Sequence, residues 1–234
     1  RVPDPVFALS TRRLLTMTWL DGRGLMSFKG EDQATRDRIA RLLFEAWWSP
    51  MTRLGVIHGD PHLGNYTLTD GAETLNLLDF GCVRIFPPAF VGGVVQLYRA
   101  LIEDDRDAQA AAYEGWGFRG LNNELIDVLN VWARFIYGPL LDDRVRTVAD
   151  GIAPGEYGRR EAFHVRQALK TKGPVTIPRE FVFMDRAAIG LGAAFLHLGA
   201  AQNWRRLFEE SLEGFSVEAL AKRQLGTLSA VGLV

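Results

Sequence analysis

Two short polar motifs, separated by a pair of strand-like segments, constrain the fold of this chain more than any other feature. Residues 58–65 read H-G-D-P-H-L-G-N, and residues 79–81 read D-F-G. Between them, residues 66–69 and 75–78 are rich in strand-forming side chains and are separated by a turn at Asp70 and a short loop. We therefore predict an antiparallel hairpin, whose first strand begins about 5 Å from the end of the second.

The predicted hairpin suggests a magnesium site at its open end, because it makes Asn65 and Asp79 neighbours. Magnesium prefers hard oxygen ligands and keeps several waters, so one amide, one carboxylate and nucleotide phosphates form a sufficient shell. Asp60 lies on the loop entering the hairpin, where it can accept a proton from an attacking hydroxyl or orient a water, and it is the candidate base. H-x-D-x-x-x-x-N followed by D-F-G is the motif pair of kinase-type phosphoryl transfer.

Four neighbouring residues are predicted to support these loops. His58 is expected to brace the catalytic loop (residues 58–65, as distinct from the metal loop, residues 79–81), because Asp60 already occupies the position of the base. His62 is expected to pack within the same loop, and metal ligation by its imidazole is a minor alternative because magnesium prefers oxygen. Phe80 and Gly81 complete the metal loop.

Three segments resemble the UbiB/ADCK (aarF-domain) family of atypical kinases. Residues 58–65 are similar to that family's H-x-D-P-H-P-G-N loop, with Leu63 in place of the second proline. Residues 14–22, L-L-T-M-T-W-L-D-G, resemble its hinge strand, which usually carries glutamate at the position of Thr18. Residues 186–191, R-A-A-I-G-L, resemble its late R-A-x-x-G-L helix. The resemblance therefore extends over most of the chain.

The resemblance implies a site that uses ATP and Mg²⁺, with the backbone of Met17, Thr18, Trp19 and Leu20 near the adenine. It also implies a role in isoprenoid-quinone (ubiquinone) biosynthesis. The expected partners are the nucleotide and a small-molecule or lipid substrate.

The expected fold is mainly α with a small β-hairpin, as in the C-terminal lobe of a protein kinase. A complete kinase also needs an N-terminal lobe that supplies a phosphate-covering loop and a strand lysine. The one lysine before Asp60 is Lys29, which lies outside any such strand. We therefore expect residues 1–22 to be a hinge strand and linker from an N-terminal lobe absent from this chain, and residues 23–234 to be the C-terminal lobe. The isolated chain is then expected to be inactive.

Apolar residues at three- and four-residue intervals predict a helix over residues 31–54, which Gly55 ends. The same pattern predicts four further helices, at residues 88–103, 121–137, 180–201 and 203–214.

Charge balance and cysteine content limit which partners and which cellular compartment fit this chain. The chain has 27 basic and 28 acidic residues, which argues against a general nucleic-acid-binding protein. Its single cysteine, Cys82, excludes an internal disulfide and fits a reducing compartment, so a cytoplasmic protein is expected. The apolar stretch at residues 187–201 would reach only about 22 Å as a helix, too short for a bilayer of roughly 30 Å. Peripheral contact of this stretch with a membrane is the alternative to burial in the protein.

The nature of the acceptor is less constrained. Protein kinases follow D-F-G with a long segment ending in A-P-E, whereas here Pro87 and Pro88 restart a helix almost at once. A small molecule, a lipid or ATP hydrolysis itself is therefore favoured over a protein substrate. A basic cluster could meet an anionic headgroup, although a solvated face is the simpler interpretation; its members are Arg159, Arg160, Arg166, Lys170, Lys172 and Arg179.

Two further classes of function fit the same motifs. A small-molecule phosphotransferase resembling aminoglycoside or choline kinases would carry the same H-G-D-x-x-x-x-N loop, together with an acidic pocket for a cationic substrate. A catalytically silent pseudokinase module would keep the site residues without turnover.

Overall fold

The computed structural model describes residues 1–151, Phe163, Gln167 and 178–234. This part of the chain is mostly helical, with two small antiparallel sheets. The strands are β1 (Arg23–Gly24), β2 (Val56–His58), β3 (Tyr66–Leu68), β4 (Leu75–Leu77) and β5 (Val83–Ile85). The helices are α1 (Gln33–Leu54), α2 (Pro88–Glu103), α3 (Arg106–Gly115), α4 (Asn123–Tyr137), α5 (Arg179–Leu198), α6 (Trp204–Ser211) and α7 (Val217–Ala230). Apart from Arg179, the basic cluster noted in the sequence lies outside the described residues.

The predicted hairpin is confirmed. Strands β3 and β4 pair in antiparallel register, with Tyr66 opposite Leu77 and Leu68 opposite Leu75. The structure contains more sheet than the single hairpin that the sequence predicted. Strand β1 pairs with the free edge of β3, and β2 pairs with β5 in a second sheet. β1 begins at the boundary predicted between the hinge segment and the helical lobe, although the division into lobes remains a prediction.

Helix α1 shows how local signals set the start and end of an element. The side chain of Asp32 accepts a hydrogen bond from Thr35 N, so the helix begins at Gln33 rather than at residue 31. Gly55 ends it with a positive φ of 67°, a conformation that glycine adopts without steric cost. The helix is followed at once by β2, which leads into residues 58–65.

The remaining predicted helices are confirmed, with small changes at their ends. α2 has the predicted bounds, while α5 stops at Gly199, which has a φ of 61°. Sequence reasoning missed α3 and α7, although each has a recognisable N-cap: Asp105 accepts from Ala108 N, and Ser216 accepts from Ala219 N.

Helix α5 corrects the expectation that the late apolar segment is too short to cross a bilayer. The helix has 20 residues and includes apolar residues before Ala187, and within the described residues it is the one helix long and apolar enough to cross a membrane. A third of its most apolar window is buried in the protein, and five of its residues belong to the core, namely Ala187, Leu191, Ala194, Phe195 and Leu198.

An aromatic cluster forms the centre of the helical core. The Phe195 and Trp204 rings lie 4.5 Å apart between centroids, and Trp48 contacts Phe208 edge-on at 4.6 Å. Trp204 and Phe208 are 1% and 0% exposed. Close aromatic pairs add to the stabilisation from apolar burial, so this cluster fixes how α1, α5 and α6 pack.

A small apolar cavity of about 100 Å³ lies beside this cluster. Among the described residues, one carboxyl group reaches the cavity wall, that of Asp185 on α5, and its Oδ1 accepts a hydrogen bond from Trp132 Nε1 at 2.6 Å. Burial raises the pKa of Asp185 to about 6, because the charged form is poorly solvated there.

Candidate active site

The catalytic and metal loops lie between the two sheets. Asn65 O accepts a hydrogen bond from Leu78 N at 3.0 Å. Leu78 therefore lies opposite Asn65, and Asp79 is the next residue along the chain. On the other side, Gly59 N donates to Cys82 O at 2.9 Å, next to the β2–β5 ladder. The chain segments of both motifs are therefore fixed together by backbone hydrogen bonds.

His58 connects the two loops through its side chain. Its Nε2 donates a hydrogen bond to the carbonyl oxygen of Asp79. Its ring lies 6.0 Å from that of Tyr66 and 6.2 Å, edge-on, from that of Phe80, while its Nδ1 is buried and has no partner among the described residues. From helix α1, Trp47 Nε1 donates to the backbone oxygen of His58 at 3.3 Å.

The oxygen atoms predicted to bind magnesium are available for a ligand. Asn65 Nδ2 donates to the backbone oxygen of Asp60 at 3.1 Å, and Asn65 Oδ1 has no hydrogen bond to a described residue. Asp79 is exposed, its Oδ1 accepts from Gly81 N at 2.8 Å, and its Oδ2 likewise has no partner in the part of the chain that the structure describes. An amide oxygen and a carboxylate oxygen are hard donors of the kind that magnesium prefers.

In the described ranges, no group of three or more His, Cys, Asp or Glu side chains could enclose a metal ion. A cation at this position would therefore depend on Asn65, Asp79, water and nucleotide oxygens together. That donor set fits magnesium, which is usually held by one or two carboxylates and by substrate phosphates.

Asp60 is half-buried, and its carboxylate makes no hydrogen bond within the described residues. Burial of the Tyr66 phenol, with a smaller contribution from the charge of Asp60, raises the pKa of Tyr66. Tyr66 is therefore neutral at physiological pH. His62, at the surface, accepts a hydrogen bond from Gly64 N through Nδ1 at 3.1 Å and so shapes the same loop.

The predicted hinge segment does not form a regular strand. Met17 makes an isolated bridge with Pro5, and Thr18 N donates to Asp4 O at 2.9 Å. Trp19 is 86% exposed. Within the described residues, the hydrogen bonds of residues 17–20 go to neighbouring parts of this N-terminal segment and not to the catalytic or metal loop.

Two contacts at the site were not found by sequence reasoning. Asn76, fully buried on β4, donates through Nδ2 to Asp21 O and to Thr67 Oγ1, both at 3.0 Å, and so attaches the N-terminal segment to the hairpin. Gly190 on α5 packs on the catalytic loop so closely that an added Cβ would lie 2.7 Å from Pro61 Cγ. This contact gives the glycine of the R-A-x-x-G-L motif a structural role that the motif alone could not reveal.

Comparison with protein families finds a match for about the first half of the chain. Residues 1–113 match a family model described as the ABC1 atypical kinase-like domain. AarF domain-containing protein kinase 1 of Xenopus tropicalis is 30% identical over 111 residues, which cover 45% of this chain and 21% of that protein. Atypical kinase COQ8B, mitochondrial, of Rattus norvegicus is 29% identical over 107 residues, which cover 46% of this chain and 20% of the relative.

Two longer matches extend beyond the first half. An uncharacterized protein of Synechocystis is 24% identical over 224 residues, which cover 91% of this chain and 31% of that protein. The structure of Rv3197 from Mycobacterium tuberculosis, solved as its erythromycin complex, has a TM-score of 0.65 at 23% identity over 94% of this chain and 54% of that chain. The chain thus matches between a fifth and a third of the length of these curated relatives. For residues 1–113, the family predicted from the sequence motifs is confirmed.

Proposed function

Residues 1–113 of this chain belong to the UbiB/ADCK family of ABC1 atypical kinase-like domains, and we propose that the chain binds ATP with Mg²⁺ for phosphoryl transfer or ATP hydrolysis. The acceptor is a small molecule or a lipid, or water when the reaction is hydrolysis. As the chain matches only part of each relative, this activity belongs to the full-length protein.

The observation that carries the proposal is the set of free oxygen atoms at the open end of the hairpin. Asn65 Oδ1 and Asp79 Oδ2 are both unengaged within the described residues, and each side chain is oriented by a hydrogen bond through its other polar atom. Asp60 belongs to the same loop, because its backbone oxygen accepts the bond from Asn65. Asn65 and Asp79 would hold the ion, and Asp60 would act as base.

The reaction follows from these roles. The acceptor hydroxyl, or water, gives its proton to the Asp60 carboxylate as its oxygen forms a bond to the γ-phosphorus. The bond between the γ-phosphorus and the bridging oxygen breaks, and ADP leaves with that electron pair. Asn65 and Asp79 would hold a magnesium ion, which would neutralise charge on the phosphates. His58 holds the backbone of Asp79 in place, so it is a positioning residue.

The proposal extends to the remaining parts of the site. The backbone of Met17, Thr18, Trp19 and Leu20 would contact the adenine, in keeping with the hinge position of the resembled family. A role in isoprenoid-quinone biosynthesis is proposed from the similarity to proteins named COQ8B, whose names also call them mitochondrial. A cytoplasmic location and peripheral membrane contact remain predictions for this chain.

Nucleotide titration with and without magnesium tests the proposal. We expect magnesium to strengthen ATP binding, and Asp79→Asn to remove about tenfold or more of that gain, because it removes the carboxylate charge from the cation. Asp70→Asn, at the exposed turn of the same hairpin, is the matched control and should bind like the unaltered chain. The proposal would be refuted if ATP affinity did not depend on magnesium, or if Asp79→Asn bound ATP with magnesium as tightly as the unaltered chain.

The choice between acceptor classes needs the full-length protein. ATP consumption should increase with quinone-precursor analogues under the favoured interpretation. Stimulation by aminoglycosides alone would instead support the small-molecule phosphotransferase class, and no consumption with either would support a pseudokinase.

A further inference from the structure

Two arginine side chains rest on one aromatic ring beside the catalytic loop. The guanidinium carbon of Arg84 lies 4.7 Å from the centroid of Phe183, and that of Arg179 lies 5.3 Å from the same centroid. Arg84 belongs to β5, and Phe183 and Arg179 belong to α5. The ring therefore joins the strand that follows the metal loop to the first turns of a helix distant in sequence.

This arrangement is adjacent to the candidate base. Arg84 pairs with Ile57 across the β2–β5 ladder. Its Cγ lies 3.4 Å from where a Cβ on Gly59 would be, and Gly59 directly precedes Asp60. The side chain of Arg84 thus starts beside the catalytic loop and extends toward α5.

One face of α5 carries further arginines along the catalytic loop. Arg179, Phe183, Arg186 and Gly190 recur at intervals of four, three and four residues, which places them on the same side of a helix. Gly190 contacts Pro61, the residue after Asp60, so this side of α5 faces the catalytic loop. Arg186 is exposed between Phe183 and Gly190.

Across residues 1–151 and 178–234, the three arginines Arg84, Arg179 and Arg186 form no ion pair with a carboxylate. Arginines elsewhere in the protein do so, as when Arg41 pairs with Glu210 at 2.8 Å. Of the two acids nearest in sequence on α5, Asp185 accepts from Trp132 at the cavity wall, and Glu180 is exposed without an ion pair to a described residue.

Stacking on Phe183 accounts for the position of the guanidinium groups but not for their hydrogen-bonding capacity. A guanidinium has five N–H donors, and Arg84 uses one of them on Val83 O at 3.1 Å. Because the whole chain has a formal charge of -1, these arginines, which form no ion pair with a described residue, are a local feature and not a consequence of a basic composition.

We propose that Arg84, Arg179 and Arg186 form a subsite for a phosphate monoester on the acceptor, whose free hydroxyl is directed toward Asp60. A phosphate monoester carries close to two negative charges and several acceptor oxygens, which suits several guanidinium groups better than a single carboxylate would. This inference rests on the proposed function and narrows its acceptor to an anionic class. Cationic acceptors such as aminoglycosides would be repelled.

Calorimetric titration with glycerol 3-phosphate, in the absence of nucleotide and magnesium, tests the subsite directly. We expect binding by the unaltered chain, no binding of uncharged glycerol, and a loss of about tenfold or more in the Arg179→Gln/Arg186→Gln double variant, since each removed charge weakens the anion contact. Both residues are exposed, so the variant should keep its fold, as circular dichroism would verify. Arg12→Gln, at an exposed arginine of the N-terminal segment, is the matched control and should bind normally.

Equal affinity in the double variant, or an equal loss in Arg12→Gln, would overturn the subsite. A second arm uses phosphatidylcholine vesicles with and without phosphatidic acid, which carries the same phosphate on a lipid. Binding to these vesicles without any binding of glycerol 3-phosphate would overturn a soluble acceptor. Because neither arm contains ATP or magnesium, loss of the subsite leaves the magnesium-dependent ATP titration unaffected as a separate test of the proposed function.

Discussion

The helical core of this protein and its loop edge, which comprises the two small sheets with residues 58–65 and 79–81, are built in opposite ways. In the core, large side chains such as Trp204 and Phe208 are almost fully buried, and apolar packing determines how the helices meet. At the loop edge, strands of three residues hold half-buried polar side chains such as His58 and Thr67, together with the buried Asn76, and hydrogen bonds such as that from Gly59 N to Cys82 O fix the backbone.

The difference separates stability from function. Core substitutions remove apolar contacts and leave cavities, so they reduce the free energy of unfolding. A substitution of exposed Asp79 removes little buried contact and should act on ligand binding instead. Helix α5 belongs to both regions, with Leu191 in the core and Gly190 against the catalytic loop, so it offers the sharpest tests of this separation.

The largest effect is expected in the aromatic cluster. Trp204→Ala should lower the free energy of unfolding by about 3–5 kcal/mol, because it empties a site surrounded by Phe44 and Phe195. Denaturant unfolding would measure the loss. At a temperature where the variant stays folded, its magnesium-dependent ATP affinity should match that of the unaltered chain. A fall in affinity without a fall in stability would break the separation.

Asp185 should make stability depend on pH. Its carboxyl ionises near 3.8 when unfolded and near 6 when folded, so between these values the folded protein retains a proton that the unfolded chain has lost. The free energy of unfolding therefore falls as pH rises from about 4 to about 6, and the loss persists above that range at no more than about 3 kcal/mol. Asp185→Asn cannot ionise and should escape this loss.

Denaturant unfolding of Asp185→Asn and the unaltered chain at about pH 4 and about pH 7.5 would measure the effect. The variant should gain stability relative to the unaltered chain at the higher pH, with a smaller difference at the lower one. A difference that does not change with pH would show that Asp185 is not stabilised in its protonated form.

Two glycines on α5 allow a comparison between its faces. Gly190→Ala should cost about 1–3 kcal/mol, because the new methyl group meets Pro61 and must displace the catalytic loop. Gly192→Ala should be neutral or stabilising by up to about 1 kcal/mol, since its nearest neighbour would be Val148 Cγ1 at 4.0 Å and alanine favours a helix. Thermal unfolding compares the two. Equal effects would mean that α5 does not press on the loop.

Local signals account for what the sequence predicted correctly. The α1 end at Gly55, the α2 bounds and the β3–β4 hairpin each depend on residues close together in the chain, where propensity, periodicity and turn chemistry agree. Asp60, Asn65 and Asp79 could be named as candidates for the same reason, since each belongs to a compact motif. Their catalytic and metal-binding roles remain predictions.

Contacts between distant segments account for most of what was missed. The pairing of β5 with β2, the packing of Gly190 on Pro61 and the stacking of Arg84 on Phe183 join residues whose sequence spacing carries no periodic signal. The prediction of a hinge strand was wrong for a related reason. A strand needs a hydrogen-bonded neighbour along its length, and residues 14–22 form only isolated bridges.

Asn65 and Asp79 are proposed to bind one divalent ion together with ATP. Manganese in place of magnesium tests it most directly, because its unpaired electrons broaden the NMR signals of nearby amides. We predict that in the presence of ATP the amides of Asn65 and Asp79 broaden first, while Asp70 at the hairpin turn keeps its signal. Broadening centred on another part of the chain, or a sharp Asn65 signal beside a broadened Asp79, would contradict the account.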